Sequence, residues 1–214
     1  PPSWRMKLCR RADETNLPRI AHAGKEGSRG IDRRLRDYVG VSAPEPPPSA
    51  SGQASQRFSL FHDANEAGLK GWHAPYAGAF PAGPVADLGC GPGYFLDLLR
   101  DRGIAGVGID IDPAMVEEAR RRGHEAIAGN HATLSTMPEA FNGIHLSHVI
   151  EHLWGDEAIE LLEGAKTALR TNGMLIVRTP NWANANVRHG GFWLDHTHKR
   201  PYPKELLEKL LSDL

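Results

Sequence analysis

From position 85 onward, short apolar runs alternate with longer segments whose apolar positions recur every three or four residues. The runs are VADLG (85–89), AGVGID (105–110), HEAIAG (124–129), NGIHLSHVI (142–150) and MLIVRT (174–179). Runs of this length, bounded by Gly, Pro, Asn or Asp, predict strands, and the segments between them predict helices. Helices are expected over 92–102, from 113, over 156–169 and over 203–214, the last one amphipathic. Asp112-Pro113 supplies an N-cap and a first-turn proline, and Asn172-Gly173 closes the helix that precedes the fifth strand. Upstream, Phe61, Leu69, Trp72, Tyr76 and Phe80 stand at roughly helical spacing. Alternation of apolar strands with helices predicts an α/β fold, a doubly wound and mostly parallel sheet covered on both faces. Right-handed crossovers then place a ligand at the carboxyl ends of the strands, where strand order reverses.

Gly89, Gly91 and Gly93 lie at that place, behind Asp87 and the first strand. Without a Cβ, glycine reaches positive φ and lets a ligand approach the main chain. Asp110 ends the second strand, 23 residues after Asp87. In doubly wound folds an acid about 20 residues beyond the glycine turn receives ribose hydroxyls. A carboxylate accepts both hydrogen bonds of a vicinal diol, so the ligand contains adenosine or something like it. A nicotinamide dinucleotide is disfavoured, because Tyr94 stands where the third glycine of G-x-G-x-x-G belongs. A Walker-type phosphate loop is excluded, because no Gly-Lys-Ser/Thr follows. Asp87 sits badly beside a pyrophosphate and well beside a cationic ligand.

Asp87-Leu-Gly89-Cys-Gly91-Pro-Gly93 resembles the D-x-G-x-G-x-G signature of class I S-adenosylmethionine-dependent methyltransferases. GVGIDIDPAMVEEA (106–119) is similar to that family's second motif, NGIHLSHVIEHL (142–153) to its fourth-strand motif, and LRTNGMLIVRTPN (169–181) to its fifth. The resemblance spans about residues 58–214 in the family's order and implies its Rossmann-like fold. It implies S-adenosylmethionine as cofactor and S-adenosylhomocysteine as product. It also implies that Asp87 and the three glycines cradle the methionine part, that Asp110 holds the ribose, and that Asn130 and His131 flank the adenine. Cys90, Ile111 and His148 complete the expected cofactor set. Many family members carry Asp where this chain has Asn130, whose carboxamide oxygen still accepts from the adenine amino group.

Eight of the 11 histidines lie between His124 and His198. His148, Glu151 and His152 form H-V-I-E-H at the end of the fourth strand, and Asp195, His196 and His198 follow the fifth. Methyl transfer from a sulfonium is an in-line displacement that mainly needs the acceptor positioned. A hydroxyl acceptor must also lose a proton, to a base near neutral pKa or under the influence of a metal. His148, Glu151, His152 and His198 are therefore the acceptor-side candidates. H-x-x-E-H resembles, with His148 in place of the first glutamate, the E-x-x-E-H of metal-dependent O-methyltransferases. Those include small-RNA 2′-O-methyltransferases, which also use a histidine placed like His198. The E-H-L at 151–153 resembles that of many family members that use no metal, and FWLDHTHKRPYP (192–203) resembles bacterial methyltransferases acting on glycans or cell-surface polysaccharides. A divalent metal is not the favoured expectation, and no metal ligands are assigned. Trp154, Trp182 and Trp193 suit a sugar or planar acceptor, and Lys199-Arg200 an anionic one.

Net charge is −1, so nothing global points to nucleic acid or membrane. Residues 1–57 nevertheless carry 11 Lys/Arg against 6 Asp/Glu, and residues 58–214 carry 14 against 20. The basic part reads as a solvated, partly disordered head, joined by SAPEPPPSASGQASQ (42–56), a Pro/Ser/Ala-rich linker, to a cofactor-binding domain at 58–214. Cys9 and Cys90 form no disulfide framework, and no apolar run spans a bilayer, so a cytoplasmic protein is expected. The chain opens on Pro1 rather than Met, which reads as a piece of a longer or processed chain. The family's last two strands are lacking after 214, which leaves five parallel strands and an exposed apolar fifth edge for some partner to cover. The leading expectation is an S-adenosylmethionine-dependent O-methyltransferase acting on a sugar, glycan or small-molecule hydroxyl. The alternatives are a non-catalytic cofactor-binding module of a larger protein and an RNA 2′-O-methyltransferase with a metal site.

Overall fold

The computed structural model describes residues 66–214 together with the backbone of a short strand at 5–8. The linker, Phe61 and the start of the domain at 58 lie outside the described residues. The elements follow in the order β1 (Arg5–Leu8), α1 (Glu66–Ala77), β2 (Val85–Leu88), α2 (Tyr94–Arg100), β3 (Gly106–Asp110), α3 (Pro113–Arg121) and β4 (Glu125–Ala128). Then come β5 (Phe141–Ser147), α4 (Gly155–Ala168), β6 (Leu169–Arg178), α5 (Ala185–Arg188) and α6 (Lys204–Asp213). The strands form one parallel sheet in the order β1-β6-β5-β2-β3-β4. The chain starts its winding at β2, moves out to β4, then returns to the other side of β2 with β5. The switch point therefore lies between β2 and β5, as expected of a doubly wound fold.

Every residue of β2 is buried. That is why VADL is a continuous run rather than an alternating one: helices cover both faces. One core gathers Leu88, Ile109, Phe141, Ile144 and Leu146 with Leu161 and Leu162 of α4 and Leu207 and Leu211 of α6. A second gathers Val85, Phe95, Leu96, Leu99 and Ile176 with Tyr76 of α1. Each large apolar side chain buried this way contributes about 1.5–3 kcal/mol. The Asp112 side chain caps α3 as expected, its Oδ1 accepting from Ala114 N at 2.8 Å.

Three expectations need correction. The edge of β6 does not lie open, because β1 pairs with it in parallel from Arg5↔Met174 to Leu8↔Val177. Part of the head expected to be solvated thus supplies a sixth strand, and no outside partner is needed at that segment. The fifth strand does not begin at 174. β6 starts at Leu169, directly after α4, and residues 170–173 bulge out between the pairs Phe141↔Leu169 and Gly143↔Met174. Asn172 has φ 63° there, so Asn172-Gly173 turns the chain within the strand instead of closing the helix. Finally, β5 stops at Ser147 rather than running to 150. His148 adopts φ 57° and its N–H donates to Arg178 O at 2.9 Å, which bends the chain into a 3-10 turn at Ile150–His152. No described helix is long and apolar enough to cross a membrane.

Candidate active site

The glycine turn is built from positive φ at all three positions, 74° at Gly89, 51° at Gly91 and 90° at Gly93. Two of them are also demanded by packing. A Cβ on Gly89 would lie 2.6 Å from Val149 Cγ2, and one on Gly93 would lie 2.8 Å from His124 Cδ2. Gly91 differs: a Cβ there would meet nothing within 4 Å. Its backbone is the one bared to space that a ligand can enter.

Asp110 holds that turn in place. Its Oδ2 accepts from Gly91 N at 2.8 Å and its Oδ1 from Asp112 N at 2.9 Å. Each carboxylate oxygen keeps a second lone pair, so Asp110 can accept further hydrogen bonds beside the backbone donors already bound. Burial pushes the Asp110 carboxyl above the usual range; the two N–H donors oppose this, and Asp112 and Asp87 add to it. Ile111 stands exposed beside Asp110. Cys90 is buried, and burial together with Asp87 and Asp110 raises its thiol, which stays protonated and takes no part as a nucleophile. Asn130 Oδ1 accepts from Ala132 N at 3.0 Å, just ahead of the 3-10 turn at Thr133–Thr136. His131 reaches across to Glu160 Oε2 of α4 at 3.1 Å. Both expected adenine neighbours thus already have structural work. Tyr94, which argued against a dinucleotide, lies under the Arg122 guanidinium at 4.9 Å.

The acceptor-side candidates converge. The contact of Val149 with Gly89 sets the turn after β5 directly against the cofactor loop. From that turn Glu151 points inward, with no exposed side-chain surface. Its Oε1 lies 2.9 Å from His148 Nδ1, and its Oε2 accepts from Thr179 Oγ1 at 3.0 Å. Burial alone would raise the Glu151 carboxyl; His148, with His152 beyond it, outweighs that and holds it below the usual range. His152 Nδ1 lies 3.2 Å from the Thr197 carbonyl and 2.9 Å from Thr197 Oγ1. His198 Nδ1 lies 2.7 Å from the Phe192 carbonyl. A carbonyl only accepts, so both rings are protonated at Nδ1 and keep Nε2 as the acceptor; His198 Nε2 lies 3.9 Å from Asp195 Oδ2. One ligand atom each from Glu151, His152 and His198 lies within 4.8 Å of the others. Two imidazoles and a carboxylate suit a borderline divalent ion better than Mg²⁺.

The FWLDHTHKRPYP segment is held over this cluster. Asp195 Oδ1 accepts from Thr197 N at 2.9 Å and from Thr197 Oγ1 at 2.6 Å, and Lys199 N donates to Glu151 O at 2.9 Å. Trp182 packs edge-on against Phe192 at 5.6 Å, whereas Trp154 and Trp193 are exposed. Lys199 pairs with Glu157 at 2.9 Å and Arg200 lies over Tyr202 at 5.1 Å, so both cations expected to meet an anionic acceptor are engaged elsewhere. The sequence reading missed Arg178, Thr179 and His145. Arg178 ends β6, its guanidinium over Trp72 and Tyr76 of α1 at 5.9 and 5.7 Å, and donates to Ser147 Oγ at 3.2 Å. A histidine within the apolar run NGIHLS was the available signal for His145.

Known proteins similar to this chain include methyltransferases. A family model described as a methyltransferase domain matches residues 46–214. A protein of Mycolicibacterium smegmatis described as a probable S-adenosylmethionine-dependent methyltransferase is 34% identical over 100 residues, covering 45% of this chain and 38% of that protein. A trans-aconitate 2-methyltransferase of Sinorhizobium medicae is 35% identical over 103 residues, covering 47% and 40%. The matched regions thus span less than half of those relatives. The crystal structure of an S-adenosylmethionine-dependent methyltransferase from Archaeoglobus fulgidus superposes with a TM-score of 0.67 at 25% identity, over 75% of this chain and 72% of that one. With the glycine turn behind β2, Asp110 at the end of β3 and a family model matched over residues 46–214, the chain belongs to the class I S-adenosylmethionine-dependent methyltransferases.

Proposed function

We propose that this domain transfers the methyl group of S-adenosylmethionine to an oxygen of a small-molecule acceptor, with a sugar or glycan hydroxyl as the first choice. The observation that carries the reading is the contact between His148 and the buried, ionised Glu151, pressed against the glycine turn through Val149. The Glu151 carboxylate beside Nδ1 stabilises by its charge the imidazolium that forms when Nε2 takes the acceptor proton. The departing product is then S-adenosylhomocysteine. The trans-aconitate relative points to a carboxylate oxygen as the other acceptor class.

The test is transfer of labelled methyl from S-adenosylmethionine to pools of sugars, glycans and small carboxylic acids. The expected result is labelled product in the sugar or glycan pool and a fall in kcat of roughly 10²–10⁴-fold in His148→Ala. Label confined to the acids moves the acceptor to a carboxylate. Tight cofactor binding with no transfer to any pool favours a non-catalytic module.

A second reading rests on the Glu151, His152 and His198 donor atoms: a divalent ion that acidifies the acceptor hydroxyl. Chelation separates the two. Activity that survives a chelator belongs to the histidine base. Activity lost to it and restored by zinc, manganese or cobalt belongs to the ion, and reopens an RNA 2′-hydroxyl as acceptor.

A further inference from the structure

His145 lies in the middle of β5, directly opposite Asp87 of β2 in the parallel register. Its side chain is wholly buried. The ring stacks on Phe95 of α2 with centroids 3.8 Å apart, and meets His73 of α1 edge-on at 5.5 Å and Tyr76 at 6.1 Å. An imidazole placed among rings in this way loses its hydration, and only a strong hydrogen bond repairs that loss. The bond is present: Nδ1 stands 2.7 Å from Asp87 Oδ1. A carboxylate accepts, so Nδ1 carries the proton and donates. Nε2 gains nothing from its surroundings and has no hydrogen-bond partner. An apolar residue in the same space would leave no such orphan, so the geometry favours Nδ1 and its single target.

That target matters because Asp87 opens the glycine turn. Its side chain is 4% exposed, and the bond to His145 takes Oδ1 and leaves Oδ2 for a ligand. His73 offers no competing cation, since burial, with His145, Arg178 and His148 near it, pushes its ring down to about 3.

We propose that His145 is a positioning residue for the cofactor. It locks the Asp87 carboxylate in one rotamer, so that Oδ2 is set to receive the amino group at the methionine end of S-adenosylmethionine. A charge-assisted acceptor held in advance binds without an ordering cost at the moment of association. The proposal rests on the assignment of Asp87 to the methionine part.

Calorimetry with two ligands tests it. S-adenosylhomocysteine carries the amino-acid end; 5′-methylthioadenosine has the same adenosine and thioether but lacks that end. His145→Phe keeps a ring on Phe95 and removes the donor. His145→Gln keeps polarity but places its amide away from the Nδ1 position, whereas His145→Asn puts an N–H₂ about where Nδ1 stands. The expected result is a loss of roughly 10-fold or more for S-adenosylhomocysteine in the Phe and Gln variants. 5′-Methylthioadenosine changes by less than about 2-fold, and the Asn variant recovers most of the loss. Equal weakening of both ligands, or no weakening of either, overturns the proposal. If the Phe variant fails to fold, the Gln and Asn pair decides by the same criterion. Asp87→Asn keeps the two claims apart. If it leaves S-adenosylhomocysteine affinity intact, the Asp87 assignment fails, and His145 with it. If Asp87→Asn weakens that ligand selectively and the His145 variants do not, the proposal for His145 alone fails.

Discussion

Asp110→Ala is expected to lower affinity for S-adenosylhomocysteine by roughly 10²–10⁴-fold, because the ribose loses two charge-assisted hydrogen bonds worth about 1.5–3 kcal/mol each. The same change frees Gly91 N and Asp112 N, so the glycine turn and the start of α3 lose their shared anchor. Asp110→Asn separates these effects. Its carboxamide keeps one acceptor oxygen, so one of the two backbone bonds and one of the two ribose bonds survive, and the loss is smaller. Calorimetry on both variants measures this, and unchanged affinity in Asp110→Ala removes Asp110 from the cofactor site. A pH dependence accompanies it. The Asp110 carboxyl sits above its ordinary range through burial, so it protonates before an ordinary aspartate does as pH falls. Only the ionised form accepts both ribose bonds, so affinity declines on acidification at a pH where exposed carboxylates are still charged.

Asp97→Asn is expected to cost about 3 kcal/mol of stability. Asp97 is buried in α2 and gathers Lys70 at 2.8 Å, Arg100 at 2.6 Å, His124 at 2.8 Å and the Arg122 guanidinium. It thereby ties α1 and the entry to β4 to the helix that follows the glycine turn. Removing one partner of a buried ionic cluster costs about 3–5 kcal/mol. The lower end applies because Lys70 and Arg100 reach solvent and keep part of their hydration, and because Glu66 still holds Lys70 and Arg122 at 2.7 Å each. A melting midpoint lower by about 6–12 °C is the corresponding readout. Burial alone would raise the Asp97 carboxyl, but Arg122, Lys70 and His124 hold it well below the usual range. Its contribution is therefore full above the unfolded carboxyl value of about 4 and is lost as pH falls below that. The gap between wild type and Asp97→Asn narrows on acidification through that window. A gap that stays constant from neutral pH to well below 4 contradicts the charge-based explanation.

The parts of this molecule legible in its sequence are those fixed by local chemistry. VADL announces a doubly covered strand because all four residues are buried, and Asp112-Pro113 announces a helix start because cap and first residue are adjacent. Gly89, Gly91 and Gly93 are legible for a similar reason, since positive φ is a property of one residue. The errors have a common origin in long-range pairing. RMKL alternates polar and apolar residues, but four positions in an arginine-rich head cannot reveal that β6 needs a neighbour on that side. Asn172-Gly173 carries the signature of a turn, and only the register against Phe141 and Gly143 places that turn inside a strand. His145 meets Asp87, 58 positions away, because β5 returns to lie beside β2. Asp97 looks like one acid among several until Lys70 from α1, and Arg122 and His124 from the entry to β4, arrive around it. On the acceptor side, H-V-I-E-H named the candidate residues, but that Glu151 and His152 meet His198 follows from the chain path after β5, which bends at the left-handed turn of His148.

The most direct measurement is calorimetric titration of the protein with S-adenosylhomocysteine, with NAD as the comparison ligand. The prediction is one equivalent of S-adenosylhomocysteine bound with a Kd of about 1 μM or tighter, roughly −8 kcal/mol, and no measurable heat with NAD. Well-folded protein that binds neither ligand, or that binds NAD instead, contradicts the assignment of the glycine turn and Asp110 to this cofactor.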